Sequence, residues 1–317
     1  MLLYYFNIKI MKNVKCKLNS NWVTGFVDAE GCFYVRISRS KQHKTGWGIY
    51  LSFEIGLNSR DEDLLLQIKS FFNYAGNIYK NKNVVHYQVR SINKLTKIII
   101  PHFEKYPLIT KKQSDFLLFK EIVKLMNKGE HLTKEGLIKI INLKASLNWG
   151  LSDKLIIYFP EAIKVKRPLI KIPDSINYNW IAGFFSGESC FFINIYKDNQ
   201  YKIGYSVKLQ VRTTQHSKEK LLLNNIMYTL GCGTINKHGK DSLVYIISGS
   251  RNINKLIFFF NKYEIKGVKS LDFQDFCKVA EFINKRIHIT IEGLKEIRNI
   301  KSIMNKARYI TPPLRTE

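Results

Sequence analysis

The chain states one passage twice. Residues 21–34 read NWVTGFVDAEGCFY and residues 179–192 read NWIAGFFSGESCFF. Each is an apolar, helix-like run followed by an acidic residue, Glu30 in the first and Glu188 in the second, at an offset of 158 (188 − 30). The match continues downstream. Ser59-Arg60-Asp61 aligns with Ser217-Lys218-Glu219 at the same offset, and Gly76-Asn77-Ile78 aligns with Gly233-Thr234-Ile235 at 157. Lys105-Tyr106 pairs with Lys262-Tyr263, and Lys112, Asp115 and Phe116 pair with Lys269, Asp272 and Phe273. HLTKEGL at 131–137 pairs with HITIEGL at 288–294. A repeat this long means two like folding units, and 317 residues suffice for two domains with a core each. The expected division is an N-terminal extension at 1–17, a first domain at 18–150, a linker at 151–177 and a second domain at 178–317. Pro160, Pro168 and Pro173 disfavour helix and mark the linker.

Each half follows one pattern. A helix over 21–30 is expected, with Asn21 as its N-cap. A strand over 32–40 alternates strictly, with Phe33, Val35 and Ile37 on one face and Tyr34, Arg36, Ser38 and Ser40 on the other. A second strand over 49–57 turns Leu51, Phe53, Ile55 and Leu57 inward. The run S-R-D-E from Ser59 matches a capping box that opens a helix. Strands near 77–80 and 84–90 follow, and Val85, Tyr87 and Val89 alternate with His86, Gln88 and Arg90. Helices fill the rest. The fold class is therefore α+β, an αββαββα unit made twice.

Charge narrows the partner. Lys+Arg number 51 against Asp+Glu 25, a net of +26 spread along the chain, which points to a polyanion. Apolar residues do not run the eighteen or so positions that a membrane-spanning helix needs. The N-terminal MLLYYFNIKIMKNVKCK is apolar and then basic, the reverse of a secretory signal. The five cysteines (Cys16, Cys32, Cys190, Cys232, Cys277) form no CxxC, so reduced thiols are expected rather than a disulfide or zinc framework. His102, beside Phe103, reads as packed or solvated and not as a ligand. Heavy use of Ile, Asn, Lys, Phe and Tyr fits an A+T-rich genome such as an organelle's.

The polar strand faces are rich in Arg, Lys, Asn, Gln, Ser and Tyr. Arg, Gln and Asn pair with guanine or adenine edges, and a β-ribbon fits the major groove of DNA. Within the repeated helices, Gly25 and Ala29 are four apart, as are Gly183 and Gly187, so each pair shares one helix face. Small residues there let two helix backbones approach closely. Packed together, the helices bring Glu30 and Glu188 to one place. Two adjacent carboxylates are costly unless one is protonated or a cation lies between them. A hard divalent cation such as Mg²⁺ suits oxygen ligands, and beside a DNA-binding surface it suggests phosphodiester hydrolysis.

GFVDAEG and GFFSGES resemble the two signature helices of LAGLIDADG homing endonucleases, specifically the monomeric two-repeat enzymes of organellar introns. The resemblance covers residue 18 to the C-terminus. It implies a saddle of β-ribbons on double-stranded DNA and cleavage of both strands with short 3′ overhangs at a long, asymmetric target. It implies catalytic metal at Glu30 and Glu188, with the carbonyls of Ala29 and Gly187 as further metal contacts. The metal would be Mg²⁺, with Mn²⁺ or Ca²⁺ substituting for binding. It also implies that Lys112 and Lys269 are basic residues around the scissile phosphates. Glu54 and Arg212 fall at the family's polar second-strand positions, where glutamine is more usual at the first. Ser186 replaces the usual acidic residue that the first copy keeps as Asp28. Ser189 stands where Gly31 ends the first motif, and is expected to strain the helix exit slightly.

Strand parity selects DNA readers: Tyr34, Arg36, Ser38, Ser40, Gln88 and Arg90 in the first half, and Phe192, Asn194, Tyr196, Lys208, Gln210 and Thr214 in the second. The expected protein is a monomer, off the membrane and mitochondrial. The rival from another class is an intron-RNA maturase, alone or combined with nuclease activity.

Overall fold

The computed structural model describes residues 18–310; the expected extension at 1–17 lies outside them. The first half opens with α1 (Ser20–Glu30), β1 (Gly31–Arg39) and β2 (Trp47–Asn58), then a 3-10 turn (Ser59–Asp61), α2 (Glu62–Phe71), β3 (Asn77–Asn81) and β4 (Val84–Val89). Next comes α3, a helix in three abutting pieces (Ile92–Lys94, a π-turn at Leu95–Ile99, Ile100–Lys105), then α4 (Lys112–Asn127) and α5 (Lys134–Ser146). A short helix, α6 (Asp153–Tyr158), lies in the connecting segment ahead of Pro160. The second half repeats the order: α7 (Tyr178–Glu188), β5 (Ser189–Lys197), β6 (Tyr205–His216), a 3-10 turn (Ser217–Glu219), α8 (Lys220–Leu230), β7 (Thr234–Lys237), β8 (Ser242–Ser248), α9 (Ser250–Lys262), α10 (Lys269–Asn284) and α11 (Ile291–Ser302). A last short helix, α12, spans Lys306–Ile310.

Each half forms one antiparallel four-stranded sheet, ordered β1-β2-β4-β3 and β5-β6-β8-β7. Alternation dictates the layering. Phe33, Val35, Leu51, Phe53, Ile55, Val85, Tyr87 and Val89 are buried under helices, as are Phe191, Ile193, Leu209, Val211, Tyr245 and Ile247. Leu57 reaches only half-burial at the rim of the core. Phe33 is the hub of the first core, with Phe53, Phe103, Phe116 and Phe119 all at 5.3–5.5 Å between ring centroids. Phe191 does the same against Phe273 and Phe276. His102 is packed among Phe71, Phe72, Phe103 and Tyr106. The described cysteines are free thiols, and no helix among the described residues is long and apolar enough to cross a membrane.

The connecting segment is strapped to the first half. Ser114 donates to the Pro168 carbonyl, Ser146 to that of Val165, and Arg167 to Asp115 at 2.9 Å. Asn148, in the left-handed region at φ 51°, donates its amide to the Phe33 carbonyl on the outer edge of β1; Asn305 (φ 57°) does the same to Phe191 on β5.

Three local expectations change. The N-cap of α1 is Asn19, whose side chain accepts from Asn21 and Trp22, and Asn177 caps α7 identically. No capping box forms at Ser59: Asn58 caps the 3-10 turn, His216 takes that place in the second half, and Asp61 makes no cap bond to its own helix. Ser189 is not strained. Both helix exits are extended (Gly31 φ −80°, Ser189 φ −92°), which any residue adopts, and the Ser189 hydroxyl pairs with that of Thr213 at 2.6 Å.

Candidate active site

The two halves meet along α1 and α7. A Cβ built on Gly25 would fall 2.0 Å from the Trp180 carbonyl oxygen, and one on Gly183 would fall 2.0 Å from that of Trp22. Glycine is thus required at both positions for backbone to pass against backbone. Further along the seam, a Cβ on Gly187 would meet the Ala29 Cβ at 2.3 Å and Glu30 Cγ at 3.1 Å. The small-residue spacing does bring the helix ends together, and the two glutamates emerge side by side from them. The seam is also cross-linked: the Trp180 indole donates to Asp28 at 2.8 Å and the Trp22 indole to the Glu264 carbonyl at 3.0 Å.

Burial pushes both glutamate carboxyls above the ordinary carboxylate range. For Glu188 the charge of Glu30 adds to that rise, and for Glu30 the charge of Asp61 does so. Lys112 and Lys269 pull both back down. Burial in turn holds the two lysines below their ordinary value, against the pull of the surrounding carboxylates. Lys112 Nζ donates to the carbonyls of Val27 (2.8 Å) and Ala29 (3.3 Å), and Lys269 Nζ to that of Gly187. Each lysine therefore caps the last turn of its own motif helix, where cations are favoured. The carbonyls expected as metal contacts are the same oxygens.

The middle position of the motif packs. Asp28 is buried and accepts from Ile109 N (2.9 Å), Thr110 N (3.3 Å), Thr110 Oγ1 (2.6 Å) and the Trp180 indole. Ser186 donates back to the Ala182 carbonyl and accepts from Lys266 N at 3.1 Å.

Glu54 and Arg212 do not reach the glutamates. Glu54 accepts from Ser52 (2.5 Å) and from the Gln88 amide, while Arg212 bonds to Gln210 and lies 5.0 Å over the Phe192 ring. The second-strand side chain whose polar interaction draws the Glu188 carboxyl down is Gln215. Its counterpart in the first half is Leu57, beside Glu30 in a cleft also lined by Asp61, Gly187, Lys266 and Lys269. Register explains the misplacement. Gly31 pairs with Ile55 and Ser189 with Thr213, so Glu54 and Arg212 oppose Cys32 and Cys190, one step into the sheet. Leu57 and Gln215 lie beyond that pairing and at the opposite parity from Glu54 and Arg212. Gln215, a polar residue just beyond that pairing, was the signal available in the second half; Leu57 gives none in the first.

Most of the parity-selected readers line the polar faces. Tyr34, Arg36, Arg90, Tyr196, Lys208 and Thr214 are exposed, and Ser38, Phe192, Asn194 and Gln210 are half-buried. Asn194 donates to Gln210 at 3.2 Å. Ser40 lies past the end of β1, in the hairpin turn, where its N–H donates to the Gly46 carbonyl. Gln88 is largely buried and its amide donates to its cross-strand neighbour Glu54, and it lines a pocket with Asn77, Tyr79 and Arg90. Tyr50, exposed on β2 with Arg36 4.5 Å over its ring, has the right parity and was missed.

Comparison with known proteins agrees with this geometry. The family model described as LAGLIDADG endonuclease matches residues 23–123 and 181–280, once per half. "Probable intron-encoded endonuclease 3" of Neurospora crassa is 39% identical over 282 residues, 87% of this chain and 52% of that protein, so the chain spans about half the length of this relative. The LAGLIDADG homing endonuclease I-SmaMI, solved bound to cleaved DNA, superimposes with a TM-score of 0.89 at 41% identity over 92% of this chain and 98% of that one. I-SmaMI bound to an uncleaved DNA target in the presence of calcium ions gives the same TM-score and identity over 92% and 100%. The doubled motif, the glycine seam and both αββαββα halves thus have one explanation: the chain belongs to the LAGLIDADG endonuclease family.

Proposed function

We propose that this protein is a site-specific, metal-dependent endonuclease that hydrolyses both strands of double-stranded DNA and leaves short 3′ overhangs. The observation that carries this reading is the seam itself. It delivers one glutamate from each half to a shared point, each with a lysine nearby, and both halves add a polar sheet face. One matched set for each strand is what a double-strand cut requires.

LAGLIDADG endonucleases depend on a divalent metal; the ion proposed for this chain is Mg²⁺. The donor set fits. Glu30 and Glu188 would supply the protein carboxylates, with the Ala29 and Gly187 carbonyls on the same helix ends. Mg²⁺ keeps several waters and takes one or two carboxylates plus substrate phosphate oxygens. When bound, such an ion supplies an activated water and charge neutralisation at the phosphate. The chain's own residues do the rest. Glu30 and Glu188 would hold the cation, Gln215 would orient Glu188, and Lys112 and Lys269 set a positive field where phosphate charge develops. Arg36, Lys208, Tyr34, Tyr50 and Tyr196 present charge and ring faces to the groove.

The proposed partner is a long, asymmetric DNA duplex read by a monomer, because the two polar faces differ in sequence. The proposed compartment is the mitochondrion, from kinship with intron-encoded endonucleases and the A+T-rich composition. Selection of cleaved sites from a randomised DNA library with Mg²⁺ tests the reading. Wild-type chain should enrich a defined site, while Glu30→Gln and Glu188→Gln should each lower cleavage on the order of 10³-fold and leave binding in Ca²⁺ intact. Cleavage surviving in the double variant, or binding to intron RNA without any DNA cleavage, would overturn it.

A further inference from the structure

Each half carries an acidic residue just past its second strand, Asp61 beside the Glu30 cleft and Glu219 at the equivalent position, whose hydrogen bonds have not yet been described. Both reach across the molecule. The N–H of Val268 donates to Asp61 Oδ1 at 2.7 Å, and the N–H of Lys111 donates to Glu219 Oε1 at 3.0 Å. Val268 and Lys111 are the N-cap residues of α10 and α4, and neither uses its own side chain as a cap. The first residues of those two helices are Lys269 and Lys112. Each active-site lysine thus starts a helix whose N-terminus is bound by a carboxylate from the opposite half.

We infer that Asp61 and Glu219 are reciprocal positioning residues, each half fixing the active-site lysine of the other. The inference rests on the nuclease reading above. A carboxylate at a helix N-terminus satisfies an otherwise unpaired N–H and meets the positive end of the helix dipole. Here it also fixes the backbone immediately before the lysine. The lysine has two anchors as a result: Nζ grips its own motif helix, through Gly187 or through Val27 and Ala29, while its backbone is held from the other half. Neighbouring N–H groups go to the home motif, Lys266 N to Ser186 and Ile109 N to Asp28. The entry to each lysine helix is therefore pinned at alternate residues, once by its own half and once by the partner half. Gly267 fits this arrangement. It has φ 74°, and a Cβ there would fall 2.6 Å from Asp61 Oδ1. Its counterpart Thr110 instead turns its hydroxyl to Asp28.

Asp61 also lines the cleft with Glu30 and Lys269, so a direct role as a charge at the metal is the competing account. Strand-resolved, single-turnover cleavage with Mg²⁺ separates the two, using the full chain and a doubly labelled duplex recovered from the library selection. Wild-type cleavage, lost in Glu30→Gln, establishes the nuclease reading independently. Given that, Asp61→Ala should slow one strand by about 10–100-fold and Glu219→Ala the other strand by a similar factor, with Ca²⁺-supported binding changed less than about twofold. Asp61→Asn keeps the acceptor oxygen and loses the charge, so it should recover to within about threefold of wild type. In a Lys269→Ala background, Asp61→Ala should add almost nothing. The inference is overturned if either alanine variant slows both strands equally, if Asp61→Asn is as impaired as Asp61→Ala, or if the Asp61 and Lys269 effects multiply.

Discussion

The two halves can be compared position by position. Gly25 and Gly183 stand equivalent, as do Lys112 and Lys269, Asn148 and Asn305, and Asp61 and Glu219. The same alignment sets Leu57 against Gln215, Asp28 against Ser186, Thr24 against Ala182 and His102 against Phe259. The conserved set makes backbone contacts: close approach, helix capping, edge pairing. The divergent set also touches backbone, but what differs between the halves is a side-chain partner: Asp28 takes the Trp180 indole and Thr24 pairs with His102, contacts that Ser186 and Ala182 do not repeat. Backbone geometry repeats with the fold and tolerates few residue types, whereas a side-chain pair can be exchanged for another that fills the same space.

Making the halves unlike at a shared position should have the largest effect. Gly25→Ala and Gly183→Ala each force a methyl against a backbone carbonyl that cannot move alone. Each should cost about 3 kcal/mol or more, equally in the two halves, as read by chemical denaturation. A large inequality would mean that the seam is not symmetric. Next, Asp28→Ser gives the first half the second half's residue. It strips acceptors from the buried Trp180 indole and from Ile109 and Thr110, a loss of about 2–3 kcal/mol. Serine suffices at 186 because the Trp22 indole uses the Glu264 carbonyl instead.

Gln215→Leu should slow the strand served by Glu188 by about 10-fold or more, with little change in the other. Leu57→Gln should narrow the difference between strands. Nicking assays with each strand labelled would show it, and equal loss on both strands would refute the assignment of Gln215 to Glu188. The smallest effect concerns pH. Burial lowers the His102 imidazole to about 4, against about 6.5 unfolded. A lowered value means that folding favours the neutral ring, so its contribution is complete above pH ~6.5 and is lost as pH falls toward 4. Thr24→Ala with His102→Phe copies the second half and removes this component, so the fall in Tm between pH 6.5 and 4 should be shallower in the variant.

Much of this was legible in the sequence because period-2 alternation and the doubled motif are strong, local signals. They gave the strands, the inward residues, the seam and the paired glutamates. The failures are of another kind. Asn19 and Asn21 flank Ser20, and nothing local says which of them caps. The S-R-D-E run looks like a capping box, but Asp61 is drawn to a backbone N–H 207 residues away. Gln88 has reader parity, yet its amide is paired with Glu54 across the strands, a partner that parity does not reveal. Glu54 and Arg212 were placed by strand position alone, while Leu57 and Gln215 lie three residues on, past the Gly31–Ile55 and Ser189–Thr213 pairings and at the opposite parity.

The seam has a consequence for how the chain is made. Glu188 is translated 158 residues after Glu30, roughly 8–32 s later at about 5–20 residues per second. Throughout that interval α1 has no partner for the face around Gly25, where α7 will later pack. A second nascent first half carries an identical face, so crowded ribosomes on one message bring a competing partner near. The segment tied to the first half through Ser114, Ser146 and Arg167 shortens the free tether from which α7 must find its place. Synthesis thus gives the intramolecular partner the higher effective concentration, and with it the kinetic advantage over a neighbouring chain.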